Sequence, residues 1–335
     1  YKVSYRRSDS LLTIRSGEKV NRFYVFGGKD ESSYTLIQGI TLSGVLFDEV
    51  ALMPKSFVDQ AIARTLSEPL ARCWFNCNPD SSEHWFYKEW ICNTRNKKAL
   101  HIHFTMQDNP ILSENEIANA ETLYTGVFYE RYILGLWVLA EGLVYPQFDK
   151  SVHVVPDTLP DANSGDWYIS CDYGTVNPCS FGLWHIDDDG NALRVREYYY
   201  DARKEGMSRT DEEHYKELEK LAGSLAPYIR AVIVDPSAAS FITCIHRHGT
   251  FPVWKANNSV IDGIRDTAAL LKLGKIHICA GCKDIIREFG LYRWDDKHTD
   301  KDTVIKENDH AMDDMRYFVK SAMYKTLREI GLNSK

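Results

Sequence analysis

Residues 167–185, WYISCDYGTVNPCSFGLWH, decide how this chain is read. A short β-prone run, residues 167–171, ends in Asp172; a turn-rich loop, residues 173–178, follows; and a second β-prone run begins at Cys179. A third run, residues 192–200, completes a meander of the kind that opens many antiparallel sheets. Further on, residues 231–234 (AVIV) form an unbroken apolar run, as expected of a buried central strand, and end in Asp235 followed by Pro236. Residues 307–317, ENDHAMDDMRY, then set an imidazole and several carboxylates along one helix. His310 and Asp313 are three apart and Asp309 and Asp313 four apart, so the three share a face. Like charges crowded in this way repel, which a fold tolerates best when a cation neutralises them.

Carboxylates at the ends of adjacent buried strands, joined by a third from a later helix, can converge on one point. Hard oxygen ligands there suit Mg²⁺ or Mn²⁺ better than zinc. Taken singly, each piece has a plainer reading, because an Asp at a strand end is also a turn former or helix cap, and an acidic helix face is also a solvated one. The order of the pieces discriminates: strand with Asp, two strands, a helix, strand with Asp, two strand-helix pairs, then the acidic helix. That order resembles an RNase H-like nuclease. Asp314 is one residue from Asp313 and so points about 100° away, which disfavours it as a ligand if Asp313 is one; Asp309 is the other rival.

The 335 residues suffice for two domains with separate cores, and 44% hydrophobic with 26% charged residues describes an ordinary globular composition. No apolar run approaches the roughly 18 residues of a membrane span, and no signal-peptide pattern is visible. The formal net charge of −7 argues against a broadly basic nucleic-acid binder, so DNA contacts must come from local patches such as Arg95, Lys97 and Lys98. The spacing of the eight cysteines favours free thiols in a reducing compartment. A zinc site from His277, Cys279 and Cys282 with Cys244 or His246 is the competing reading, against which residues 276–279 alternate like a strand. The aromatic cluster 198–200 reads as strand packing rather than base stacking, and Lys255 as either an edge-strand lysine or a phosphate contact. Arg265 and Lys272 are expected to face solvent.

The first half makes a separate argument. Residues 43–50, SGVLFDEV, form an apolar strand ending in an acidic pair; in P-loop ATPases such a strand supplies the Asp that holds the Mg²⁺ of ATP and a Glu that orients the attacking water. A helix, residues 56–66, leads to a second apolar strand, residues 72–79 (RCWFNCNP), similar to the strand that senses nucleotide state in ATP-driven motors. No Gly-x-x-x-x-Gly-Lys-Ser/Thr appears, so the phosphates have no cradle in this sequence.

Together these segments resemble the large terminase subunit of tailed bacteriophages, the packaging motor and nuclease, beginning partway through its ATPase domain. The likeness is carried by residues 27–54 (GGKDESSYTLIQGITLSGVLFDEVALMP), 75–90 (FNCNPDSSEHWFYKEW), 124–149 (YTGVFYERYILGLWVLAEGLVYPQFD) and the pieces around Asp172, Asp235 and His310 to Asp313. The resemblance implies an α/β chain: the C-terminal part of a P-loop ATPase domain (1–140), a linker (141–166) and an RNase H-like mixed-sheet nuclease domain (167–335). By the same resemblance Asp48 matches the Mg²⁺-binding acidic residue and Glu49 the catalytic Glu of the ATPase, and Asn76 and Asn78 fall in the coupling motif. Asp172, Asp235 and Asp313 match the metal-binding carboxylates, with His310 a further ligand or proton carrier.

The expected chemistry is two-metal hydrolysis of double-stranded viral DNA, with two Mg²⁺ or Mn²⁺ ions about 4 Å apart bridged by Asp172. ATP is a cofactor of the full-length protein. The phosphate-binding loop would lie upstream of Tyr1, so this chain alone is expected not to hydrolyse ATP appreciably. Implied partners are the portal protein, the small terminase subunit and further copies of the chain assembled on the portal, in the host bacterial cytoplasm and without a membrane. Two alternatives stand beside this reading: an ATP-driven translocase whose C-terminal domain grips DNA without cutting, and a recombination nuclease or resolvase of RNase H-like fold, which would not need Asp48, Glu49 and the Asn-Pro strand.

Overall fold

The computed structural model describes every residue except Val176, Asp296, 298–301 and 333–335. The chain forms two compact units, Tyr1–Ile102 and His103–Lys335. In the first, β1 (Lys2–Arg6), β2 (Leu11–Ser16) and β3 (Lys19–Tyr24) make an antiparallel sheet. Ser16 pairs with Lys19 across a two-residue turn whose first residue, Gly17, has φ +59, a conformation glycine adopts at no steric cost. Strand β4 (Gly44–Phe47), helix α1 (Lys55–Ala63) and β5 (Arg72–Phe75) follow. The two strands pair in parallel, and the stacked rings of Phe47 and Phe75 (centroids 5.0 Å apart) join Val50, Phe57 and Val58 in a small core.

The second unit begins with α2 (Glu114–Leu123) and α3 (Gly126–Tyr132). These helices pack on the later part of the chain: Phe128 belongs to its main core, Arg131 pairs with Asp302 in the interior, and the Lys272 ammonium donates to the carbonyls of Glu121 and Tyr124. Residues 141–166 are equally ordered by contact. Tyr145 is buried, the Val144 N–H donates to the Tyr292 carbonyl at 3.0 Å, and β6 (Val154–Val155) closes one edge of the sheet. Prolines spaced through a segment suppress helical and strand periodicity in sequence, yet they leave single apolar side chains free to anchor it.

The seven-stranded sheet is built on the meander β7 (Asp166–Asp172), β8 (Cys179–Ile186) and β9 (Ala192–Tyr200), all antiparallel. Strand β10 (Ile229–Val234) lies parallel to β7, and β11 (Val253–Lys255) parallel to β10. The order β11-β10-β7-β8-β9 is that of an RNase H-like mixed sheet, extended beyond β9 by the parallel strands β12 (Ile276–Cys279) and β6. Helices α4 (Asp211–Ala222) and α5 (Ala239–His248) cover one face; α6 (Val260–Lys272), α7 (Lys283–Phe289) and α8 (His310–Ala322) cover the other.

Strand alternation sorts the side chains between the two faces. Trp167, Ile169, Cys171, Val232 and Val234 enter the core under α4 and α5, while Tyr168, Ala231 and Ile233 enter the core under α6 and α8. Phe318 of α8 stacks on Trp184 at 4.3 Å, a contact worth about 1 kcal/mol beyond the area it buries. The pairing of β10 with β7 carries one register shift, between Ile229 and Ala231, after which Val234 lies opposite Cys171.

Candidate metal centre

Asp172 ends β7, and Asp235 stands one position beyond the end of β10, each one step past the paired Cys171 and Val234. Adjacent strands run about 4.8 Å apart, so the two carboxylates leave the sheet side by side. Because Cys171 and Val234 point toward α4 and α5, alternation directs both aspartates to the opposite face, under α8. The Asp235 carboxylate accepts from the Ser237 N–H at 2.7 Å, an Asx turn that fixes the chain where the strand stops.

Helix α8 delivers the remaining groups. Asp309 is its N-cap and His310 its first residue, and the His310 Nδ1 lies 2.8 Å from the Asp172 carboxylate. Asp313, one turn on, accepts from Arg316 Nη2 at 2.9 Å through one oxygen and from the Lys306 ammonium at 3.2 Å through the other. Lys306 also reaches Asp309 at 3.3 Å, so one ammonium neutralises two carboxylates. Asp314 points away, as helical geometry requires. It is fully buried, takes both guanidinium nitrogens of Arg194 at 2.5 and 3.0 Å, and accepts from the hydroxyls of Ser170 and Ser180. Gly182 makes this possible, since a Cβ there would collide with the Arg194 guanidinium. Every lone pair of Asp314 is thus committed to the fold, leaving Asp172, Asp235, Asp309, His310 and Asp313 as the groups at the strand ends.

The electrostatics are those of charge gathered without enough counter-charge. Burial, with the neighbouring Asp313 charge, pushes the Asp172 carboxyl up to about 6 even though His310 pulls it down. Asp309 is raised for the same two reasons. For His310 burial acts downward, but the bond to Asp172 and the carboxylates around it prevail and raise it. Asp235 goes the other way: burial would raise it, and hydrogen bonds from Ser237, Tyr317 and Asn258 outweigh that and hold it low. The Tyr317 phenol is raised by burial and then by Asp172 and Asp313, so it stays protonated and serves as a donor among the three aspartates. Four carboxylates and one imidazole, two of the acids driven above their ordinary range, are ligand types that a hard divalent cation takes. No three of their ligand atoms gather within 4.8 Å of one another, however, and Arg316 and Lys306 hold the two oxygens of Asp313.

In the first unit Asp48 and Glu49 follow β4. Glu49 has φ 58 and ψ 52, a left-handed conformation that costs a non-glycine residue roughly 1 kcal/mol. Asn76 holds it there: its side-chain oxygen accepts the Glu49 N–H at 3.0 Å and its carbonyl accepts the Val50 N–H at 2.9 Å. The acidic pair and the Asn-Pro strand are therefore joined by direct hydrogen bonds, while Asn78 is exposed. Glu49→Gly is expected to stabilise the first unit by about 1 kcal/mol in urea unfolding; an unchanged midpoint would mean that the turn stores no strain.

Other residues singled out from sequence fall into place by contact. Cys279 and Cys282 are buried and donate to the carbonyls of Thr158 and Arg194, and they form no metal-ligand group with His277 among the described residues. All eight cysteines are free. Tyr198 meets His214 at 3.0 Å, Tyr199 donates to Glu288, and Arg209 lies 4.2 Å over the Tyr200 ring, so the cluster is committed to packing. Lys255 ends the edge strand β11. Arg265 does not face solvent: it is half-buried against Asp266 (2.9 Å) and Asp262 (3.0 Å), because its guanidinium reaches the acids of its own helix. Arg95 and Lys97 lie on the short helix Thr94–Lys97, with the Lys97 ammonium 4.6 Å over the Trp90 ring. Sequence reading missed Lys306, Arg316, Tyr317 and Asn258. Only Arg316 carried a signal, being three residues from Asp313 on one helix. No described helix is long and apolar enough to cross a membrane.

Known proteins resemble the chain in both sequence and structure. A family model described as "Terminase large subunit, T4likevirus-type, N-terminal" matches residues 2–151. The large terminase from a thermophilic bacteriophage, solved in complex with ADP, is 47% identical with a TM-score of 0.88, over 97% of this chain and 80% of that one. A second crystal form of the same terminase gives 49% identity and a TM-score of 0.89, over 96% and 79% of the two chains. Its complex with ATP-gamma-S gives 47% and 0.86 over the same shares. No curated protein matches. With nearly half of its residues identical to that protein across almost its whole length, the chain belongs to the large terminase family of bacteriophages.

Proposed function

We propose that the second unit is a divalent-metal-dependent endonuclease that cuts double-stranded viral DNA, coupled in the complete protein to ATP-driven packaging of that DNA. The observation that carries this reading is the emergence of Asp172 and Asp235 from paired strands onto the face where α8 presents His310 and Asp313. These four residues would hold one or two Mg²⁺ or Mn²⁺ ions, which when bound lower the pKa of a water and stabilise the leaving oxygen of the phosphodiester. The chain itself prepares the site. Tyr317, Asn258 and Ser237 keep Asp235 ionised, Arg316 fixes one oxygen of Asp313, and Asp172 orients the His310 ring as ligand or proton carrier.

Lys306 is largely exposed and bridges Asp309 and Asp313, so its ammonium competes with any cation for those two carboxylates. Lys306→Ala is accordingly expected to tighten Mn²⁺ binding a few-fold in calorimetric titration, the scale of a partly exposed ion pair; weaker binding would assign the lysine a supporting role instead.

In the first unit Asp48 would hold the Mg²⁺ of ATP and Glu49 orient the attacking water, with Asn76 coupling that site to the following strand. The thermophilic phage terminase was solved with ADP and with ATP-gamma-S, which supports a nucleotide-linked role for the complete protein. We place residues 1–140 with the ATPase function, although 103–140 pack with the nuclease core, and residues 167–335 with cleavage. The portal protein, the small terminase subunit and further copies of the chain are the proposed partners, in the host bacterial cytoplasm. A translocase that grips DNA without cutting draws support from the pairing of Asp313 with two cations. Incubation with supercoiled plasmid separates the two: Mn²⁺-dependent nicking that EDTA abolishes is expected, and an absence of nicking would favour the gripping domain.

A further inference from the structure

On the sheet face opposite the carboxylate centre, three side chains of metal-binding type meet between α4 and α5. Cys244 and His248 are four residues apart on α5 and so share one side of that helix, and Glu212 reaches them from the first turn of α4. The Glu212 carboxylate lies between the other two, one oxygen 2.8 Å from His248 Nε2 and the other 3.5 Å from Cys244 Sγ. One donor atom from each of the three lies within 4.8 Å of the others. Bond lengths of about 2.0–2.3 Å at tetrahedral angles put the donors of a zinc site roughly 3.3–3.6 Å apart, so small rotations would seat an ion among them.

Two further features favour a metal over a casual hydrogen-bonded trio. The His248 ring is held flat against Tyr215, with centroids 3.8 Å apart and planes within 8°, which fixes the direction of its Nε2. The thiol is buried, whereas Glu212 is exposed and His248 partly so, leaving one side open to water as a fourth ligand. Thiolate, imidazole and carboxylate together are a zinc donor set, unlike the oxygen-rich set across the sheet.

We propose that Glu212, Cys244 and His248 form a Zn²⁺ site that clips the start of α4 to the end of α5. The clip lies across the sheet from the carboxylate centre, and a short run of contacts leads from one toward the other. Asp211, next to Glu212, accepts the hydroxyl of Tyr173, which follows Asp172 and stacks on Phe241 of α5 at 4.5 Å. Zinc would thereby brace the helical wall behind the loop that leaves Asp172. This inference does not depend on the nuclease reading.

The test uses Co²⁺ and Zn²⁺ as probes on the whole chain. Co²⁺ is expected to give a near-ultraviolet thiolate charge-transfer band that Zn²⁺ abolishes by displacement, and Zn²⁺ to raise the melting temperature. Cys244→Ser should remove the band. His248→Ala, a change at a part-exposed position that should leave folding intact, should weaken Zn²⁺ binding by more than about a hundredfold, beyond the loss typical of an outer-shell partner. Asp172→Ala should keep the band, which assigns it to this face of the sheet. Absence of the band in the parent protein, or its persistence at unchanged affinity in both Cys244→Ser and His248→Ala, would overturn the proposal.

Discussion

Asp172→Ala is expected to reduce Mn²⁺-dependent plasmid cleavage by on the order of a thousandfold, because a metal-held charge contributes several kcal/mol to such a transition state and each 1.36 kcal/mol is tenfold in rate. Cleavage at the parent rate would sink the assignment of this centre. A companion measurement reads the electrostatics separately. Burial pushes the Asp172 carboxyl up from 3.8 to about 6, so its charged form is disfavoured in the folded protein. That penalty is absent below pH 3.8, grows between 3.8 and 6, and is complete above 6. Asp172→Asn should therefore gain stability above pH 6 in EDTA, on the order of 2 kcal/mol, while losing activity. A variant no more stable than the parent at pH 8 would remove the charge-crowding argument.

Asp314→Ala is expected to have the opposite profile, costing about 3–5 kcal/mol of stability by urea unfolding. It leaves the buried Arg194 guanidinium with the longer contacts to Glu197 at 3.6 Å and the Phe181 carbonyl at 3.4 Å, and takes the acceptor from two buried serine hydroxyls. The double change Arg194→Met with Asp314→Leu should recover much of that loss, since a buried ion pair replaced as a unit by apolar side chains is often tolerated. A mild effect of Asp314→Ala would mean that the Arg194 charge finds another partner. Two neighbouring aspartates on one helix thus divide cleanly, one expected at the chemistry and the other holding the helix to the sheet.

Much of this architecture is legible in the order of the residues alone. Asp172 and Asp235 stand out because apolar β-runs end abruptly in them, and strand order implies the mixed sheet. Helical angles separate Asp313 from Asp314. What stays hidden has physical reasons. Arg194 and Asp314 are 120 residues apart, and neither position departs from the pattern around it. Tyr317 reads as one more aromatic on a buried helix, and its role follows only from being placed among three carboxylates. Lys306 lies in a stretch without period. Residues 103–140 read as part of the first domain because their likeness lies there, whereas their apolar side chains join the larger core.

The register shift at the start of β10 decides where a side chain points five residues downstream. Ile229 pairs with Trp167 and Ala231 with Tyr168, so Arg230 is a supernumerary residue, exposed and paired with Asp166 at 2.6 Å. Without the shift Val234 would fall opposite Asp172, and Asp235 would point into the core under α4 and α5. The carboxylate centre thus depends on a matter of parity: an odd insertion at the far end of a strand selects the side of the sheet on which Asp235 appears. Any side chain could occupy position 230, but a residue must be there.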